Sequence, residues 1–219
     1  ADAKKYISDP DTRGVYEHRM HMLIARDIGE ALQHEFVHLM HYGHMERLHQ
    51  KHPIWIQEGI AALFEAYTLS SEGEIAFLPN TRHNVIFRAV DANNETPWPK
   101  LFALSPHGFM DRAPALYPEV RSIFLYLADR EKLMPWYQAY TKGFAEDPSG
   151  AKALERAAKG VISCVPAKTA NKELLTHAFP SPAVLKRPRS NNAREVSHVA
   201  GFGARPIAPG TSEVSIMWL

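Results

Sequence analysis

Six of the chain's 12 histidines (His34, His38, His41, His44, His49 and His52) fall within 19 residues. A cluster this dense asks for metal chemistry to be tested first. At its start, Leu32-Gln33-His34-Glu35-Phe36-Val37-His38 contains H-E-x-x-H in a stretch that reads as helix. Four residues advance about 400° around a helix, so His34 and His38 stand one turn apart on one face. Their imidazoles can share one tetrahedral ion at Zn–N distances of about 2.0–2.1 Å. Glu35 sits about 100° further round. It is too far round to be an equal ligand but can reach a water held on the ion, which is the general-base position.

A catalytic zinc needs a third protein ligand and one open position. Two residues qualify. His44 gives H-E-x-x-H-x-x-x-x-x-H, the ligand spacing of metzincins. Their sharp turn, normally made by glycine, would here fall on His41, and Gly43 is out of place. Glu58, in Pro53-Ile54-Trp55-Ile56-Gln57-Glu58-Gly59-Ile60-Ala61, lies 20 positions beyond His38. A loop over about 42–52 would bring a second helix back against the first and aim Glu58 at the ion.

H-E-x-x-H followed by W-x-x-E-G-x-A resembles the gluzincin metallopeptidases, the clan of thermolysin and aminopeptidase N. With His52-Pro53 ahead of the second motif, the wording is similar to the peptidase MA-like bacterial proteins. The likeness is strong over 26–67, weaker over 14–25 and 80–143, and absent after about 160. It implies one Zn2+ per chain, bound by His34, His38 and Glu58, with Glu35 as base and then acid in hydrolysis of a peptide or protein substrate. Glu65, two helical turns after Glu58, matches the glutamate that supports a zinc histidine in aminopeptidase-N-like proteins; a solvent-facing carboxylate is the plain alternative. Ala62 stands where thermolysin-type proteins place an aspartate, which favours the aminopeptidase-like layout. Tyr117, 59 positions after Glu58, matches the oxyanion-stabilising tyrosine of that branch, with Pro118 placing it at a helix mouth. Arg121 and His107 are the substitutes, whereas Tyr126, Tyr137 and Tyr140 read as core. The resemblance also puts His18 and His21 on a strand bordering the cleft. No G-x-M-E-N motif precedes the zinc helix, which argues against recognition of a free amine. The remaining histidines, His41, His49 and His52, read as surface or capping residues.

The elements that must position these groups follow from periodicity and punctuation. Residues 14–25 read as a strand. Asp27 with Glu30 makes a capping box for a helix running to about His41, with Gly43 as its stop. His52-Pro53 opens a second helix that continues to about Tyr67. A turn with a short strand or loop follows over 70–80, then a short helix over 82–90. The Pro, Asn and Gly content of 91–113 predicts a long ordered loop, and helices are expected at 114–130, 132–143 and 149–159. The expected class is α+β: a small sheet packed on the H-E-x-x-H helix, then a mostly helical half. Residues 1–160 would form the gluzincin-like domain, short of upstream sheet strands. Residues 161–219, with six prolines and no sustained periodicity, read as an irregular, weakly structured tail.

Composition narrows the partners. With 25 Lys+Arg against 24 Asp+Glu the net charge is +1, so no global field draws the chain to nucleic acid or membrane. No apolar run approaches the roughly 20 residues of a membrane span. The single cysteine, Cys164, excludes an internal disulfide and any multi-cysteine metal cluster. A start at Ala1 without Met reads as a mature form or a fragment, and leaves the compartment open; a bacterial extracytoplasmic location would follow from a removed upstream signal. Two rivals to the peptidase reading remain: a zinc-binding but catalytically inactive binding or scaffold domain, and a helical domain whose histidines bind nothing.

Overall fold

The computed structural model describes residues 12–26 and 28–158. The expected cap at Asp27, the boundary near 160 and the tail over 161–219 lie outside them. The described residues mix helices with two small antiparallel sheets and are mostly helical, an α+β arrangement at the coarse level.

The segment expected as one strand is a hairpin. β1 (Gly14–Glu17) pairs with β2 (Met22–Ala25), Gly14 opposite Ala25 and Glu17 opposite Met22. The turn between them is a 3₁₀ element, His18–Met20, closed by His21 at φ 47°. Such left-handed backbone is usually given to glycine or asparagine. Here the turn carries neither, so the sequence reads straight through it. His18 and His21 therefore sit on the turn and not on a strand, and His18 Nε2 reaches Glu46 Oε1 at 2.9 Å.

The hairpin packs on α1 (Glu30–Leu48), whose N-cap is Gly29. This helix runs through Gly43 and ends at His49, a left-handed cap at φ 53° whose N–H bonds back to Glu46 and Met45. Glycine inside a helix costs about 1 kcal/mol. The buried positions on either side explain why it is tolerated: Ala31, His34, His38, His41 and Met45 repeat at three- and four-residue spacing along one stripe.

α2 (Ile54–Leu63) lies at the centre of the fold, with every residue but Ile60 buried. It stops short of Tyr67, which instead opens β3 (Tyr67–Leu69), paired with β4 (Ile75–Phe77). α3 (Thr81–Asp91) is capped by Asn80, whose side chain accepts from the Arg82 N–H at 3.1 Å. The expected loop over 91–113 contains two helical pieces, α4 (Trp98–Phe102) and α5 (Pro106–Met110). Each has its proline in the first turn, where the missing N–H has no helical partner to lose.

α6 (Ala113–Asp129) packs along α2. The contact depends on Gly59: a Cβ there would collide with the Phe124 ring and lie 3.3 Å from Val120. Tyr117 is in the second turn of α6, with Pro118 inside the helix, and not at its mouth. α7 (Leu133–Lys142) and α8 (Ala151–Ala157) complete the core around Trp55, Phe124, Trp136 and Tyr140. No described helix is long and apolar enough to cross a membrane.

Candidate metal centre

α1 and α2 pack together, and the groups that converge between them are His34, His38 and Glu58. His34 Nε2 lies 3.1 Å from His38 Nε2 and 3.2 Å from Glu58 Oε2; His38 Nε2 is 3.4 Å from the same oxygen. Ligand atoms 2.0–2.1 Å from a tetrahedral ion stand about 3.3 Å from one another. The three atoms thus have the spacing of one tetrahedral face. All three side chains are buried, and together they could hold a metal ion.

The electrostatics point the same way. Burial opposes the charge of Glu58, yet hydrogen bonds and charge from His34 and His38 hold its carboxyl well below the usual range. Burial also opposes a charge on His34, but Glu58 and Glu65 raise it to about 9. Four carboxylates, Glu30, Glu35, Glu58 and Glu65, share this cleft with two guanidiniums, Arg13 and Arg82. That surplus of negative charge around two imidazoles favours a bound cation.

Glu65 stands directly behind His34, its Oε1 3.0 Å from Nδ1. With Nδ1–H donating to this carboxylate, loss of the Nε2 proton to an incoming cation would leave the Nε2 lone pair facing Glu58 and His38, the tautomer a metal ligand needs. Glu65 is itself gripped from α3. Arg82 donates through Nε at 2.6 Å and Nη2 at 2.7 Å, and Asn80 Nδ2 adds a third bond at 3.1 Å. Against the cost of burial, His34 and Arg82 bring the Glu65 carboxyl down to about 2.

Glu35 projects into the same cleft beside β1. Burial raises its pKa above the ordinary carboxylate value, while the Tyr16 backbone N–H bonds to it and opposes the rise. Gly14 makes this approach possible. A Cβ at that position would lie 2.7 Å from Glu35 Cγ and 3.2 Å from Oε1. The Tyr117 hydroxyl donates to Glu58 Oε2 at 2.7 Å, and its ring lies 5.7 Å from that of His34. Burial first, then Glu58, pushes its pKa far upward, which keeps it a donor. The cleft encloses about 790 Å³ between β1, α1, α2 and the head of α6.

His34, Glu35, His38, Glu58, Glu65 and Tyr117 all line this one cleft. His44 does not: it bonds to Arg47 at 3.3 Å and lies against Tyr137. Arg121 is committed to backbone, donating to the carbonyls of Ala62 and Leu78 at 2.9 and 2.6 Å. His107 is exposed beside Asp111. His41 and His52, expected as surface or capping residues, are 2% and 1% exposed and bond to each other at 2.8 Å under a cover of Tyr137 and Tyr140. Sequence reasoning missed Arg82, Gly14 and Tyr16. For Arg82 the available signal was physical: a buried carboxylate behind a candidate metal-binding histidine needs a counter-charge.

Compared with family models, with curated proteins and with solved structures, the chain matches none.

Proposed function

We propose that the chain is a zinc-dependent peptide-bond hydrolase on the gluzincin plan, with one Zn2+ held by His34, His38 and Glu58. What supports this most is the company that the three ligand atoms keep: a half-buried carboxylate, Glu35, and a phenol hydroxyl, Tyr117, in one cleft with them. Two imidazoles and a carboxylate are a donor set suited to zinc. Bound zinc would supply Lewis acidity, polarising a carbonyl and acidifying water.

The chain's own groups do the rest. Glu35 takes a proton from the attacking water and returns it to the departing amine, so that peptide and water become carboxylate and amine. Its burial suits it to hold that proton between the two steps. Tyr117 donates to the carbonyl oxygen as negative charge builds there. Glu65 holds His34 in one ring orientation throughout. A peptide or protein substrate would lie in the cleft alongside β1.

The test is digestion of a broad peptide library by the purified chain, before and after removal of metal by a chelator. Cleavage that stops with the chelator and returns with zinc is expected. A chain fully loaded with zinc that cuts nothing would leave a binding or scaffold domain in place of an enzyme.

A further inference from the structure

One arginine that lines the cleft touches both the carboxylate behind His34 and the ring of Tyr117. Arg82 grips both oxygens of Glu65 at 2.6 and 2.7 Å, and its Cζ lies 4.4 Å from the centre of the Tyr117 ring. We propose that Arg82 is the positioning residue that sets the His34 imidazole and the Tyr117 hydroxyl in register with each other. The inference rests on the zinc reading above.

A guanidinium fork fixes a carboxylate in plane as well as in distance, which a point charge cannot do. Glu65 Oε1, held by Arg82 Nη2, is also the oxygen that faces His34 Nδ1. The plane of the fork therefore sets where the imidazole can point. The Cζ of the same guanidinium sits over the Tyr117 ring, and Phe109 meets that ring edge-on at 5.3 Å. Tyr117 is thus held between Arg82 and Phe109 while its hydroxyl reaches Glu58.

Arg82 is in turn fixed by its own helix. Its N–H is the donor that Asn80 caps, and the Asn80 amide bonds to Glu65 Oε2. The first turn of α3 is therefore built around the carboxylate that it restrains. Such outer partners of a metal histidine typically affect metal affinity or activity by about 10–100-fold.

Two substitutions test this, each with two readouts: zinc affinity by chelator competition, and kcat and KM on a cleaved peptide. Arg82→Gln removes fork and charge; Arg82→Lys keeps charge without the fork, and serves alone if the first variant does not fold. Zinc affinity is expected to fall about 10–100-fold in Arg82→Gln. Arg82→Lys should recover only part of it, and in both variants kcat should fall more than KM rises. In a Glu65→Gln background, Arg82→Gln should cost little further zinc affinity, since it acts through Glu65. Wild-type zinc affinity and kcat in Arg82→Lys would overturn the proposal, as would a full additional loss of affinity in the double variant. If the wild-type chain binds zinc but cleaves nothing, the hydrolase reading fails, and the affinity measurements still decide the role of Arg82.

Discussion

Two neighbouring parts of the buried stripe on α1 treat the same side chain in opposite ways. At the upstream end, His34 and His38 face Glu58, with Glu65 behind His34, in a cleft open to solvent. Two turns beyond His34, and less than one beyond His38, His41 bonds to His52 beneath Tyr137, Tyr140 and Phe144. Carboxylates raise His34 to about 9 despite its burial. Burial without them lowers His41 well below its ordinary value and, with the charge of His44 adding, lowers His52 to about 4. Histidine density alone therefore does not mark a metal site; the partners across the stripe decide. One group could hold a cation, and the other is a neutral hydrogen-bonded pair under an aromatic cover.

That contrast can be broken from either end. The largest expected effect is at Glu35. Glu35→Gln should keep zinc and fold but lower peptide hydrolysis by about 10²–10⁴-fold, measured on a peptide that the wild type cleaves. Tyr117→Phe should lower kcat by about 10²–10³-fold with a smaller change in KM, because the hydroxyl matters most once oxyanion charge has developed. A larger effect on KM than on kcat would remove Tyr117 from that role.

At the downstream end the expected loss is stability, not turnover. His52→Ala opens a cavity among the aromatic rings and leaves His41 Nε2 without its partner. It should cost about 3 kcal/mol in urea unfolding, with zinc content unchanged.

The pH dependence of stability carries the same contrast more weakly. The folded His52 binds its proton less readily than the unfolded one, so the unfolded state holds more protons between about 4 and the ordinary value of 6.5. The His52 contribution to stability is therefore intact above 6.5 and is lost progressively as pH falls toward about 4. His52→Phe should flatten that part of the stability curve. An unchanged curve would mean that the pair is not buried in its neutral form.

The sequence carried the upstream end better than the downstream one. H-E-x-x-H is local, and a 20-residue return is long enough for a second helix to bring Glu58 back. By contrast, His41 and His52 are covered by side chains of α7 and its C-terminal flank, Tyr137, Tyr140 and Phe144, more than 80 positions away. No local pattern announces that burial, and a polar residue type suggests the opposite. The same holds for Arg82: an arginine at the head of a short helix reads as a solvated charge until Glu65, 17 residues back, is seen to need it. The turn in the hairpin was hidden because His21 does glycine's work. The length of α1 was hidden because three of its five buried residues are histidines, so the stripe that carries it past Gly43 is not apolar in sequence. The short helices α4 and α5 left a signal in Pro99 and Pro106, which suit a first turn as well as a loop.

In the proposed reading, two histidines of α1 and a carboxylate of α2 form one zinc site. The most direct measurement is zinc content per chain for the wild type, Glu58→Ala and His44→Ala, all purified under the same conditions and checked for folding by melting. Close to one equivalent is expected in the wild type and in His44→Ala, and loss of tightly held zinc in Glu58→Ala. Full occupancy in Glu58→Ala with loss in His44→Ala, or no zinc in any of the three, would contradict it.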